Sequence, residues 1–357
     1  MSQINVTLPD GTSRSVPTGT TVGDVATLIS PGLAKAALAG KVGDRLVDLS
    51  YPLTADAPLQ IITSKNAAEA LPLYRHSTAH LLAAAVTNMF PGVQCGIGPP
   101  TDEGFFYDFV VPRPFVQEDL EAIEKKMREL ADQDLVFERQ MWPRDEAKRF
   151  FRDRGEPLKV QLIEEKTEGQ REVSCYTIKD RETFVDFCVG PHVPSTGKLK
   201  AFKLLSTSNA YWKGDARNQP MQRVYGTAFL SEKELKDHLT RIEEAKKRDH
   251  RKIGRDQKLF MFHPWAPGAT FWLSNGTVLY NTLANYMRDV VIPSGYVEVK
   301  APIVFNKALW ETSGHWEHYR QNMFLVESEG EQMGLKAMNC PGHFLIYASE
   351  VRSYRDL

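Results

Sequence analysis

The sequence predicts an α+β protein built from several domains. Three observations carry that prediction. At 357 residues the chain exceeds one ordinary domain. Its first sixty or so residues alternate short β-type runs with a single amphipathic segment. From about residue 65 helical periods and strand-like runs follow one another in blocks, and the pattern changes again near 231 and near 257. The expected boundaries are therefore 1–64, 65–230, 231–256 and 257–357.

In the first block, "INVTLPDGTSRSV" reads as two strands around the Asp10-Gly11 turn, a strong hairpin signal. "TTVGDVATLI" is an amphipathic helix with Thr21 and Asp24 spaced as a capping box. "RLVDL" and "LQIIT" supply further strands. A hairpin, a helix and more strands within about sixty residues suggest a β-grasp arrangement.

The second block opens with a helix, "LYRHSTAHLLAAAVTNMF". A Gly/Pro-rich loop, "PGVQCGIGPPTDEG", leads to a strand, "GFFYDFVV", and then to a charged helix, "QEDLEAIEKKMRELADQ". Strand-like stretches run on to "QRVYGTAFL", which makes this an α+β domain of its own. Residues 231–256 read as a polar linker helix. Between Arg241 and Lys258 lie eight Lys/Arg and four Asp/Glu, which fits either a solvated linker or an RNA-facing strip.

Composition limits the function classes. Hydrophobic content of 42% and charged content of 25% are those of a globular protein. With 44 Lys+Arg against 45 Asp+Glu the net charge is −1, so any nucleic-acid contact must come from local patches. No apolar run reaches eighteen residues, and the N-terminus lacks the basic and apolar parts of a signal peptide, so no membrane partner is expected. Cys95, Cys175, Cys188 and Cys340 are too scattered for a disulfide framework, and a reducing, cytoplasmic setting is expected.

Two four-residue pairs stand out. "HSTAHLL" puts His76 and His80 on one face of a helix, and "DFCVGPH" repeats the spacing with Cys188 and His192. Ser77 follows the first histidine where a zinc protease needs glutamate, so that reading fails. The four side chains together are a well-formed Cys/His₃ donor set for zinc. They are equally an acid–base pocket of near-neutral imidazoles beside Asp186, or packed core residues. Spacing alone leaves all three open.

In the last block "NTLANYMRDVVIPS" runs as a helix into "GYVEVKAPIVF", followed by "LWETSGHWEHYRQNMF" and "LKAMNCPGHFLIYASEVRSYRDL". With "MNCPGH" the chain resembles bacterial-type threonyl-tRNA synthetases, which are class II aminoacyl-tRNA synthetases. The resemblance runs in family order through "HSTAH", "GFFYDF", "DFCVGPH", "YWKGDARNQPMQRVYGTA" and "KRDHRKIG". It implies a TGS domain of β-grasp fold, an editing domain, a linker helix and an incomplete class II antiparallel-sheet catalytic domain.

What the resemblance implies for function is equally specific. The implied activity joins threonine to tRNA(Thr) at the expense of ATP with Mg²⁺, and hydrolyses mischarged seryl-tRNA(Thr). The implied editing pocket is metal-free and lined by His76, His80, Lys159, Asp186, Cys188 and His192. Lys159, in the loose context "EPLKVQLI", transfers least directly. In the synthetic site Cys340 is the implied first Zn²⁺ ligand, with two histidine ligands beyond Leu357, and Ala337 stands where the family usually has proline. The segment around Pro302 implies a homodimer.

"SYRDL" is where motif 2 of the family begins, so the chain is expected to be a fragment or truncated form that does not aminoacylate by itself. Two other functions compete with this one. A freestanding trans-editing hydrolase would have no use for "MNCPGH". A non-catalytic TGS-containing RNA-binding module is the other, although no G-x-x-x-x-G-K-[ST] phosphate loop accompanies the TGS pattern.

Overall fold

A computed structural model describes residues 2–356. The chain divides into two compact units, Met1–Lys247 and Arg248–Leu357.

The first unit begins with a five-stranded sheet. In order across the sheet its strands are Ser13–Pro17, Gln3–Thr7, Ala57–Ile62, Ala39–Val42 and Arg45–Val47. The Gln3–Thr7 and Ala57–Ile62 strands are parallel, and the other pairings are antiparallel. At the hairpin, the Asp10 carboxylate accepts from the amide and hydroxyl of Thr12, and Gly11 takes φ +82°. Only glycine adopts that left-handed value without cost. The helix Val22–Ile29 starts at a complete capping box: Thr21 Oγ1 accepts from the Asp24 amide, and the Asp24 carboxylate accepts from the Thr21 amide. Val22 and Val25 bury against Ile4, Val6, Val16 and Leu59, which closes the β-grasp core. The helix Pro31–Ala36 and the strand Ala39–Val42 escaped the sequence reading, since no turn signal separates them in "KAALAGKV".

The helix Ala67–Met89 is the axis of the next layer. It starts six residues before the sequence pattern suggests, and the exposed Pro72 sits within it. Small and aliphatic residues bury its Leu81 to Val86 stretch completely on an antiparallel sheet. That sheet runs Phe202–Tyr211, Pro220–Ala228, Phe105–Val110, Gln94–Cys95. The helix Gln117–Asp132 packs beside it through Ile123 and Met127. A second sheet, Asp180–Phe187, Glu172–Ile178 and Phe137–Pro143, is covered by the helices Arg144–Asp153 and Pro157–Lys166 through Trp142, Phe151 and Ile163. Leu38, Ala39 and Ile62 of the β-grasp layer share one apolar cluster with Leu73 and Tyr74. The first two layers are thus welded by apolar burial.

The stretch 231–256 forms two helices, Glu232–Lys247 and His250–Asp256, the second capped by the Asp249 side chain. The unit boundary falls between them. In the second unit a hairpin, Phe260–His263 with Ala266–Trp272, precedes the helix Ser274–Val291. A three-stranded sheet follows, Val304–Asn306, Glu331–Leu335, Leu325–Ser328. Of the expected strand over 295–305 only Val304 onward is paired, because Pro302 offers no amide to a ladder. Trp310 is the one large apolar side chain fully buried among the described residues of this unit.

Candidate functional site

His76 and His80 leave the helix Ala67–Met89 one turn apart, their rings edge-to-face with centroids 5.0 Å apart. Cys188 and His192 come from the segment that follows the strand Asp180–Phe187. There Gly190 takes φ +70° and turns the chain back, and the Gly190 amide donates to Cys188 Sγ at 3.3 Å. Cys188 Sγ lies 3.4 Å from His76 Nε2 and 3.5 Å from His192 Nε2. The His192 ring centroid is 4.4 Å from those of His76 and His80. On its other face it stacks on Phe137 at 5.1 Å. The two sequence pairs therefore form one cluster.

Lys159 and Asp186 form the floor, each 2% exposed. The Lys159 ammonium ion-pairs with Asp186 Oδ1, donates to the Gly96 carbonyl at 2.7 Å and reaches Tyr107 Oη at 3.1 Å. Tyr107 Oη in turn donates to Asp186 Oδ2 at 2.6 Å. Three protons on the ammonium meet three acceptors, so Lys159 is saturated. It can touch a bound molecule only by giving up a partner. Gly96 itself admits no side chain, since a Cβ there would meet Met221 Cε at 2.6 Å. Apart from Asp186 Oδ1, whose one partner is the Lys159 ion pair, His80 Nδ1 is the polar atom of this pocket left buried without a hydrogen-bond partner, 3.7 Å from Asp186 Oδ2.

Burial sets the protonation states. It holds the His76 imidazole below its usual value, with Asp186, a backbone hydrogen bond to Pro191 and Asp48 opposing it. His80 is pushed down much further by burial, then by His76 and Lys159; His192 likewise by burial, His80 and His76. Burial, reinforced by Asp186, pushes the Cys188 thiol up to about 12. Burial also works against the Lys159 ammonium, but Asp186, Cys95 and Glu156 together outweigh it and its pKa rises. At neutral pH the pocket therefore holds three neutral imidazoles, a thiol and one ammonium–carboxylate pair.

His76 and Cys188 are partly open to solvent, while His80, His192, Lys159 and Asp186 lie beneath them. A reactant entering from solvent meets His76 and Cys188 first. The four candidate donors of His76, His80, Cys188 and His192 lie within 4.8 Å of one another, so this set can gather about a cation. A tetrahedral zinc site has ligand–ligand edges of about 3.3–3.8 Å, from bonds of 2.0–2.3 Å. The set is thus looser than a formed zinc site, and the resident Lys159 ammonium is close enough to depress the His80 pKa.

All six sequence-predicted pocket residues meet here, whereas Cys340 is elsewhere. It is exposed at the start of the helix Cys340–Ala348, where it lines a cavity of about 620 Å³ with His343, Phe344 and Tyr347. Among the described residues no group of three or more His, Cys, Asp or Glu donors surrounds it, so these residues do not by themselves make a zinc site. Sequence reasoning missed Tyr107, Gly96, Ser77 and Asp48 as parts of the pocket. Tyr107 was visible only as one aromatic of "GFFYDF", and Gly96 only as one glycine of a loop.

Residues 4–63 match the TGS domain, and residues 173–225 match the threonyl and alanyl tRNA synthetase second additional domain. A threonine–tRNA ligase of Myxococcus xanthus (strain DK1622) is 51% identical over 99% of this chain and 55% of its own length. One of Verminephrobacter eiseniae (strain EF01-2) is 52% identical with the same coverage. The chain thus spans about half the length of the curated relatives it matches. A crystal structure of the RNA binding domain of threonyl-tRNA synthetase from Cryptosporidium parvum Iowa II is 42% identical. It covers 31% of this chain and 28% of its own, with a TM-score of 0.30, too low to bear on the fold.

Proposed function

We propose, for a chain homologous to threonine–tRNA ligases along 99% of its length, that the pocket of the first unit is a hydrolytic proofreading site. Its substrate is the ester of a wrongly attached amino acid on tRNA(Thr), with serine the expected error. The observation that carries this reading is the pairing of a part-exposed, neutral His76 with a buried, charged Lys159–Asp186–Tyr107 floor in one pocket.

The need for such a site follows from magnitudes. Serine differs from threonine by one methyl group, and a missing methylene is worth only ~1–3 kcal/mol, a factor of 10–200. In the proposed reaction His76 accepts a proton from water as its oxygen attacks the ester carbonyl. The C–O bond to the ribose then breaks, and the proton returns to the departing hydroxyl. The products are free amino acid and tRNA. The part-exposed His76 and Cys188 are placed to meet the bound amino acid, above the buried His80 and Asp186. Cys188, held as a thiol, serves as wall and contact, not as the nucleophile. This reading needs no metal. The second reading, a cation held by His76, His80, Cys188 and His192, is favoured by the convergence of those four donors.

Ligation itself, with ATP, Mg²⁺, threonine and tRNA(Thr) as reactants, is proposed for the protein of which these residues form part. So are a zinc ion with Cys340 among its ligands and a homodimer built through residues 281–305. No step is derived through that zinc.

Single-turnover deacylation of seryl- and threonyl-tRNA(Thr), with and without a chelator, tests the proposal. The expected result is chelator-resistant hydrolysis of the seryl ester alone, abolished in His76→Ala. Chelator-sensitive hydrolysis with stoichiometric metal would favour the second reading. Absence of hydrolysis from a folded protein would sink both.

A further inference from the structure

Two bonds tie the pocket to a side chain of the β-grasp layer. Asp48 follows the strand Arg45–Val47, and its backbone carbonyl accepts from the Tyr51 amide at 3.1 Å, so the residue sits in a fixed turn. The residue is 8% exposed. Oδ1 accepts the His192 amide at 3.0 Å, and Oδ2 accepts the Tyr176 hydroxyl at 2.7 Å. These partners lie 144 and 128 residues away in the chain. Both touch the turn that carries the cluster: the Tyr176 ring packs edge-on to His192 at 4.6 Å, and a Cβ on Gly190 would meet Tyr176 Oη at 1.9 Å.

We propose that Asp48 is a positioning residue of the pocket: it clamps the 188–193 turn from the neighbouring layer and so fixes where the His192 ring and Cys188 stand. This rests on the hydrolytic reading for its functional consequence, but the clamp itself does not. A buried carboxylate receiving two hydrogen bonds is a strong anchor, because charge-assisted bonds are roughly twice as strong as neutral ones. The geometry is also directional. Oδ1 holds the backbone of His192 while Oδ2 holds the aromatic lid over Gly190, so both sides of the turn are fixed by one group. The turn is also held to the body of the domain by Ser174, whose hydroxyl donates to the Cys188 carbonyl at 2.7 Å and whose carbonyl accepts the Cys188 amide at 3.2 Å, by Ser77, whose oxygen accepts the Val193 amide at 3.0 Å and meets His192 Nδ1 at 3.1 Å, and by the bond of His76 to the Pro191 backbone. The consequence is that the first layer belongs to the hydrolytic machinery. It contributes position where it contributes no reacting group.

Asp48→Ala and Asp48→Asn in the full chain separate this role from simple cohesion of the layers. Asparagine keeps both contacts: its carbonyl accepts from the His192 amide, and its NH₂ donates to a Tyr176 oxygen that turns acceptor. Alanine keeps neither. Peptide-level hydrogen exchange should show residues 188–193 opening in Asp48→Ala and not in Asp48→Asn, with the helix Ala67–Met89 unchanged in both. Seryl-tRNA hydrolysis should fall about 10–100-fold in maximal rate for Asp48→Ala, the scale set by a misplaced catalytic geometry. The half-saturating concentration should move little, and Asp48→Asn should restore most of the rate. Tyr176→Phe removes half of the clamp and should fall between, which keeps the test decisive if Asp48→Ala does not fold. Unchanged exchange at 188–193 overturns the clamp whatever the activity. A wild-type chain without hydrolysis, in which Asp48→Ala still loosens 188–193, would uphold the clamp and reject the hydrolytic reading.

Discussion

Ser77 Oγ and His192 Nδ1 lie 3.1 Å apart, both fully buried, 115 residues apart in the chain. The Ser77 hydroxyl donates its proton to the Leu73 carbonyl at 2.9 Å and accepts the Val193 amide at 3.0 Å. With one proton to give, it satisfies all three contacts only if the ring nitrogen is the donor. This arrangement protonates His192 at Nδ1 and leaves a lone pair on Nε2, facing Cys188 Sγ at 3.5 Å. The residue that separates "HSTAH" from a zinc-protease motif thereby sets the tautomer of a histidine elsewhere in the sequence.

Ser77→Ala should unsettle that tautomer. It leaves the His192 Nδ1 proton without its buried acceptor, which costs about 1–3 kcal/mol of stability. Thermal unfolding checks this cost. Seryl-ester hydrolysis should fall by about tenfold or more, on the scale of losing an orienting partner. A rate equal to wild type would show that Ser77 does not govern the ring.

The Lys159–Asp186 pair should be strongly coupled. Lys159→Met strands a carboxylate that is 2% exposed, and breaking such a pair costs about 3–5 kcal/mol. Adding Asp186→Asn removes the stranded charge and should recover much of the loss. Denaturant unfolding of the four proteins gives the coupling energy directly. Simple additivity of the two single changes would contradict the buried pairing.

The pH profile of hydrolysis should report an imidazole and no thiolate. His76 is depressed below its ordinary value of 6.5 by burial, so its neutral, proton-accepting form persists to below that pH. The rate should hold level on lowering pH toward 6.5 and fall only beneath it. Cys188 stands at about 12, so no inflection is expected near the ordinary thiol value of 9.0. A rise in single-turnover rate centred near pH 9, lost in Cys188→Ser, would make the thiolate the nucleophile after all.

Much of this protein was legible from local rules. The Asp10-Gly11 hairpin, the Thr21–Asp24 capping box and the single helical face shared by His76 and His80 depend on contacts two to four residues apart. Such contacts are written in the order of the residues; spacing singled out His76, His80, Cys188 and His192 beside Asp186, whereas the set of six, with Lys159, came from the family resemblance. The tertiary structure alone decided how those residues act. Lys159 meets Tyr107 across 52 residues, Tyr107 meets Asp186 across 79, and Asp48 meets His192 across 144. No periodicity encodes such separations, because they depend on how two sheets and a buried helix pack. The same packing removes water from the imidazoles and the thiol. The sequence by itself determined which groups are present; burial, a property of the folded whole, decided their charge.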